Sequence, residues 1–253
     1  MVGIFIRMEI LGVPIDDVTR ERAVHRLGLF LDESTPHFVA TPNPEMVVQA
    51  QKNQRFMETL RRSDLSIPDG QGLLFASRYL GEPLSERVTG TDIVDDLARM
   101  CAARQMTMFL LGGAEGVAEA AARNLTTRHA GLRIVGAESG GIVEQDDDLV
   151  WQVSRSAMQH LKEARPQVLL VAFGHGKQEE WIVQHMRTLE DLRIAIGVGG
   201  AFDFVAGIAR RAPMFMRRLG LEWFWRLIKE PRRAKRIWQA VVVFPLLVIM
   251  KKR

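Results

Sequence analysis

The residues best suited to chemistry directly follow short apolar runs. After His37–Ala40 come Thr41, Pro42, Asn43, Pro44 and Glu45, which set a hydroxyl and an amide at the mouth of a helix start, where backbone N–H groups also point outward. Asn43 would serve equally well there as an ordinary helix cap. After Leu65–Ile67 come Pro68, Asp69 and Gly70. This turn either presents a carboxylate able to take a proton from an incoming hydroxyl or is a routine Asp-Gly bend. Gly112 and Gly113 follow Thr107–Leu111 and open a helix, so backbone amides could approach a phosphate. Glu115 opposes that reading, and the G-x-G-x-x-G spacing of a dinucleotide loop fails. Lys177 and Gln178 fall in the first turn of a helix after Gly174, His175 and Gly176, placed for a diphosphate or a sugar hydroxyl, or simply for solvent. His175 reads as a turn residue at the surface. Gly199 and Gly200 end the last apolar run and would let a ligand approach the backbone, while Asp203 could accept hydrogen bonds from a base or a sugar. Arg87 stands alone between a loop and a helix start, from which a guanidinium can reach a phosphate in forked geometry.

Other chemistries find little support. Cys101 is the single cysteine, and the six histidines are scattered without paired spacing. Asp146, Asp147 and Asp148 read as the acidic start of a helix. No obligatory divalent ion and no cofactor is expected, and there is neither a Gly-x-Ser-x-Gly elbow nor a Walker loop.

The elements that must position these residues alternate short apolar runs with longer segments of helical period, which predicts an α/β fold. Expected strands are His37–Thr41, Leu65–Ile67, Thr107–Leu111, Leu132–Ala137, Gln167–Phe173 and Arg193–Val198, apolar enough to be buried and parallel. Asp16 or Asp17 is expected to cap a helix reaching Leu31, Pro44 to open one reaching Arg61, and Thr91 to precede another. The three strand-to-helix units in Thr107–Val198 suggest Rossmann-like parallel sheet units, with residues 8–106 forming a second lobe packed against them.

Charge divides the chain again. Of 253 residues, 47% are hydrophobic and 25% charged, and the formal net charge is +4. Residues 1–208 hold 21 Lys and Arg against 28 Asp and Glu, whereas residues 209–253 hold 13 against only Glu222 and Glu230. An acidic catalytic core (1–208) followed by a basic, aromatic helical appendage (209–253) argues against nucleic acid as a partner of the core. Ile237–Met250 is only 14 residues long, short of the roughly 20 needed to span a bilayer. Cations flanking Trp, Phe and Leu suit a helix lying in an anionic membrane surface; a helix docked on the core is the alternative. The N-terminal residues lack a basic region before their apolar run, so no signal peptide is expected and the body should stay in the cytoplasm.

In order along the chain stand Thr41-Pro-Asn, Pro68-Asp-Gly, Glu86-Arg-Val-Thr-Gly, Phe109-Leu-Leu-Gly-Gly, Gly174-x-x-Lys-Gln-Glu-x-Trp and Gly197-Val-Gly-Gly-Ala-Phe-Asp. Arg211-Ala-Pro and Gly220-Leu-Glu-Trp…Glu230-Pro-Arg-Arg follow. The ordered set resembles the WecG/TagA/CpsF family of glycosyltransferases over residues 8–240. That resemblance implies an inverting, metal-independent transfer from a UDP-sugar onto a polyprenyl-diphosphate-linked sugar, in the biosynthesis of a bacterial surface polysaccharide, by a cytoplasmic enzyme peripheral on the inner face of the cell membrane. It implies that Asp69 is the general base, with Thr41 and Asn43 near the transferred sugar. Gln178 would lie beside the nucleotide-sugar and Asp203 near the uracil. Arg87, Arg211, Arg218 and Arg226 are the implied candidates to neutralise the diphosphate. The chain departs from the family pattern at His175-Gly176 and at Ile142, where an aromatic often stacks on the base. A Rossmann-type oxidoreductase and an inactive membrane-attached scaffold of the same fold are the rival readings. Homo-oligomerisation is compatible with the sequence.

Overall fold

The computed structural model describes residues 6–214, 216 and 222–251, except the side chains of Arg226 and Arg232. A hairpin of β1 (Arg7–Ile10) and β2 (Val13–Asp16) leads into α1 (Arg20–Asp32), β3 (His37–Ala40), α2 (Pro44–Ala50) and α3 (Gln54–Arg61). Next come β4 (Leu65–Ser66), α4 (Gln71–Leu80), α5 (Gly90–Arg104), β5 (Thr107–Gly112), α6 (Val117–Arg128) and β6 (Arg133–Glu138). A small hairpin of β7 (Glu144–Gln145) and β8 (Trp151–Gln152) precedes α7 (Arg155–Ala164), β9 (Val168–Ala172), α8 (Lys177–His185), β10 (Ile194–Gly197) and α9 (Ala201–Val205). The tail supplies α10 (Glu222–Lys229), α11 (Ala234–Trp238) and α12 (Phe244–Lys251).

The fold is α/β, as the alternating pattern predicts. A single six-stranded sheet runs β4-β3-β10-β9-β5-β6 with every neighbouring pair parallel. Strands of both expected lobes therefore meet within one sheet, because β10 inserts between β3 and β9 and joins them. Alternate residues feed two cores. Phe38, Ala40, Phe109, Leu111, Leu169, Val171 and Ala195 face one side. Val39, Met108, Leu110, Val168, Leu170, Ile194 and Ile196 face the other. Burial on both faces explains why these strands read as continuous apolar runs.

Several helix starts differ from expectation. Thr19, not Asp16 or Asp17, caps α1 by accepting from the Arg22 N–H. Asp16 instead pairs with Arg7 at 2.7 Å and accepts from the Ser66 N–H, tying the first hairpin to β4. The helix expected to run from Pro44 to Arg61 is two, broken where Asn53 caps α3. Thr89, not Thr91, caps α5. Asp146 does not open a helix: its carboxylate accepts from the Asp148 and Val150 N–H groups and closes the β7–β8 turn.

The tail packs on the body. Phe244 and Val248 of α12 are buried in the first core, next to α2 and α4. Among the described residues, no helix is long and apolar enough to cross a membrane.

Gly112 owes its identity to packing. Its φ is +117°, and a Cβ there would lie 2.6 Å from the Ala172 carbonyl group, whose oxygen also accepts the Gly113 N–H. Gly112→Ala should therefore cost about 3 kcal/mol, a fall of roughly 6–12 °C in melting temperature. Gly81, with φ +92° and nothing within 4 Å of its Cβ site, provides the control. Gly81→Ala should cost only about 1 kcal/mol.

Candidate active site

Every strand of the parallel sheet sends the loop at its carboxyl end to one cavity of about 550 Å³. Thr41 and Asn43 come from β3, Asp69 from β4, Gly113 and Ala114 from β5, and Ser139 and Gly141 from β6. Phe173, Gly174 and His175 come from β9, and Val198, Gly199 and Gly200 from β10. Convergence of strand ends is where an open α/β sheet binds ligands, and the volume is in the range of a ligand pocket.

Asp69 is held from three directions. Its N–H donates to the Pro42 carbonyl, the neighbouring Pro68 carbonyl accepts from the Val88 N–H, and its Oδ2 accepts from the Gly90 N–H at 3.2 Å. Gly90 opens α5, so the positive end of a 15-residue helix faces this carboxylate. A Cβ on Gly90 would lie 3.7 Å from Asp69 Oδ2 and 4.0 Å from Thr41 Oγ1, so the base candidate and the hydroxyl converge on one spot. Thr41 is buried and donates to the Gly197 carbonyl at 3.0 Å, linking β3 to β10. Asn43 Oδ1 caps α2 through the Met46 N–H, while the residue still lines the cavity. Capping and lining are both its tasks.

Gln178 forms part of a buried relay. Its Nε2 donates to Glu179 Oε1 at 2.7 Å, and its Oε1 accepts from the Gly199 N–H at 3.1 Å. Glu179 Oε2 accepts from the Gly176 N–H at 2.7 Å. The loops after β9 and β10 are thus joined through two side chains. Burial pushes the Glu179 carboxyl up to about 7, against the pull of the Gln178 and Gly176 hydrogen bonds.

Other expected residues are placed differently. Lys177 is exposed, donates to the Val143 carbonyl and lies over the Trp151 ring at 5.1 Å, outside the cavity lining. Gly112 likewise lies behind the lining and Gly113 within it. Gly199, Gly200 and Asp203 all line the cavity. Val143 and Gly141 line it too, whereas Ile142 is 78% exposed.

A second cavity of about 330 Å³ adjoins the first, and Asn43, Glu45, Asp69, Thr91 and Phe204 belong to both. Its walls are apolar at Phe75, Trp223, Ile237, Val241 and Pro245 and cationic at Arg87 and Arg211. Arg87 is paired with Glu222 at 3.0 Å, so it also fastens α10 to the body. Arg211 donates to Asp92 and Thr89. Although burial would raise the Asp92 carboxyl, the Thr89 hydroxyl and Arg211 hold it below its usual value. Arg218 and the Arg226 side chain lie outside the described residues.

Sequence reasoning missed Arg233 and Arg236, both of which line the first cavity. Arg236 donates to Glu45 Oε2 at 2.9 Å and to His175 Nδ1 at 2.7 Å. Burial, then the Arg236 charge, pushes His175 down to about 4 against the opposing pull of Glu45, so the ring is neutral and its Nδ1 can accept. Arg233 ends the turn Pro231–Arg233 and Arg236 lies three residues on in α11, a spacing that sets them near each other but does not by itself bring the tail to this cavity. Among the described residues, no group of three His, Cys, Asp or Glu is arranged to hold a metal ion.

Residues 8–253 match the sequence profile of the glycosyl transferase WecG/TagA/CpsF family. Two relatives, from Staphylococcus aureus strains MW2 and NCTC 8325, are each 30% identical over 249 residues, covering 98% of this chain and 94% of theirs. Both are named N-acetylglucosaminyldiphosphoundecaprenol N-acetyl-beta-D-mannosaminyltransferase. The chain is a hexosyltransferase-type enzyme that belongs to the WecG/TagA/CpsF family of glycosyltransferases.

Proposed function

We propose that the chain moves a sugar from a UDP-sugar, bound in the first cavity, to a hydroxyl of a polyprenyl-diphosphate-linked saccharide entering through the second, with inversion at the anomeric carbon. The observation that carries this reading is the position of Asp69 in the walls of both cavities. One cavity is ringed by polar groups and glycine backbone, which suits a nucleotide-sugar; the other pairs apolar walls with arginines, which suits a diphosphate attached to a lipid.

In the proposed step, the acceptor hydroxyl oxygen attacks the anomeric carbon while the bond from that carbon to the diphosphate oxygen breaks. The hydroxyl proton passes to the Asp69 carboxylate, and UDP leaves with the electron pair. Thr41 and Asn43 border the transferred sugar. Arg233 and Arg236 face the cavity where negative charge grows on the leaving UDP. Arg87 and Arg211 are the cations nearest the acceptor diphosphate, and Gly199, Gly200 and Asp203 lie at the nucleotide end. The names of the relatives favour an N-acetylhexosaminyl donor and an acceptor ending in N-acetylglucosamine. The reaction belongs at the cytoplasmic face of a membrane, where such acceptors and UDP-sugars meet.

The test uses the purified full chain, a panel of UDP-sugars including UDP-N-acetylmannosamine, and a short-chain prenyl-diphosphate N-acetylglucosamine. One UDP-sugar at about 100 times its Kd should stabilise the protein by about 2.7 kcal/mol. UDP should then be released only when acceptor is present, giving a product of opposite anomeric configuration. A retained configuration would overturn the inverting step. Absence of any thermal shift across the panel, or UDP release independent of acceptor, would overturn the assignment of donor and acceptor.

A further inference from the structure

We infer that helix α4 of the body, together with α12 of the tail, forms a single docking face for an anionic lipid bilayer at the mouth of the second cavity. This inference deepens the reading of a lipid-linked acceptor, and it reassigns part of the membrane contact from the tail to the catalytic body.

On α4 the large side chains Phe75 and Tyr79 are spaced to share one face, and both are exposed, at 59% and 46%. The opposite side of the same helix buries Leu73, Leu74 and Ala76 in the first core. That core also takes Phe244 and Val248, so α12 lies alongside α4; a Cβ on Gly72 would lie 3.7 Å from the Phe244 ring. The other faces of α12 leave Leu246, Ile249 and Met250 exposed, and Trp238 at the end of α11 is exposed as well. Phe75, Val241 and Pro245 connect the two sets, since all three line the second cavity. A patch of this kind at the entrance of a site marks an interaction surface.

Charge identifies the occupant. Neither residues 71–80 nor residues 234–251 contain an Asp or Glu, while the exposed Arg78, Lys235 and Lys251 fall among them. Aromatic and aliphatic side chains on two helices whose exposed charges are all cationic match the headgroup region of an anionic leaflet. In that orientation a lipid-linked saccharide reaches Asp69 between Phe75 and Val241 without its chain leaving the apolar layer.

The test is sedimentation of the full chain with vesicles of phosphatidylglycerol and phosphatidylcholine, without any substrate, so it can fail while the proposed function stands. The double variant Phe75→Ser, Tyr79→Ser should partition at least roughly tenfold more weakly than the parent, with the parent also weakened on phosphatidylcholine alone. As a second measurement that needs no destabilising change, Tyr79→Cys carrying a polarity-sensitive dye should shift to the blue on anionic vesicles. Cys101 is buried and its thiol is pushed up to about 12, so labelling stays at the introduced site. The same dye at Arg123→Cys, on the exposed side of α6, should not respond. Unchanged vesicle binding by the double variant, or no spectral shift at position 79, would overturn the inference. So would a dimer that the double variant converts to monomer with lipid binding intact, since a second copy would then be the occupant.

Discussion

Asp69→Asn should lower the rate of sugar transfer by roughly two to four powers of ten while leaving the melting temperature and the affinity for the UDP-sugar close to those of the parent. The substitution keeps the size and shape of the side chain. It also keeps an oxygen to accept from the Gly90 N–H, so the turn that joins Pro42, Asp69 and Val88 has no reason to open. What it removes is the ability to take the acceptor proton at the point where the two cavities meet. Transfer should therefore fall at saturating donor and acceptor, which single-turnover measurement of UDP release would read directly. The contrast is Asn43→Ala, which removes the α2 cap and should cost about 1 kcal/mol of stability alongside its effect on the sugar. Near-parental turnover in Asp69→Asn would remove the residue from the role of base.

The sheet was legible because its central strands are buried on both faces, and such strands write themselves as uninterrupted runs such as Val168–Ala172, while the half-exposed edge strand β6 kept enough Ile, Val and Ala to be read with them. The two hairpins were not, each for a local reason. In β1 the buried Met8 and Ile10 alternate with Arg7 and Glu9 over only four residues, and the turn uses Leu11 and Gly12, both at positive φ, in place of a familiar Asn-Gly pair. In the second hairpin, Asp146 satisfies turn N–H groups much as it would have satisfied those of a helix start, so composition alone does not separate the two. The cavity lining was legible in residues that lie within three positions of a strand's end: Thr41, Asp69 and Gly199 needed only the rule that strand ends converge. Arg233 and Arg236 needed the tail to fold back over the sheet. That return rests on Phe244 and Val248 entering the core and on Arg236 meeting Glu45 and His175, contacts nearly two hundred residues apart for Glu45. His175, read from the sequence as a surface turn residue, is thus where the tail is received.

Glu179 should give the enzyme a pH dependence near neutrality. Its carboxylate accepts from Gly176 N–H through one oxygen and from Gln178 through the other, and Gln178 in turn accepts from Gly199 N–H. Protonation turns one of these oxygens into a hydroxyl, a poorer acceptor that brings a proton of its own into a site already filled by N–H donors, so the relay is weakened. With the carboxyl pushed up to about 7 by burial, the relay is at full strength above that pH and weakened below it. Donor kcat/KM should accordingly rise between pH 6 and 8. Stability runs the other way. The unfolded chain's Glu titrates near 4.5, so the folded protein holds the extra proton between about 4.5 and 7 and loses stability as pH rises through that window. The full difference is roughly 3 kcal/mol. Glu179→Gln should remove both trends: its melting temperature should gain on the parent as pH increases, and its kcat/KM should lose the neutral limb. The Gln amide presents a donor to either Gly176 or Gln178, and turning Gln178 over only moves the mismatch to Gly199. KM for the UDP-sugar should therefore rise about tenfold, because an orphaned buried donor costs about 1–3 kcal/mol. An unchanged KM together with an unchanged pH profile in Glu179→Gln would show that the relay only packs the loops and does not position the donor.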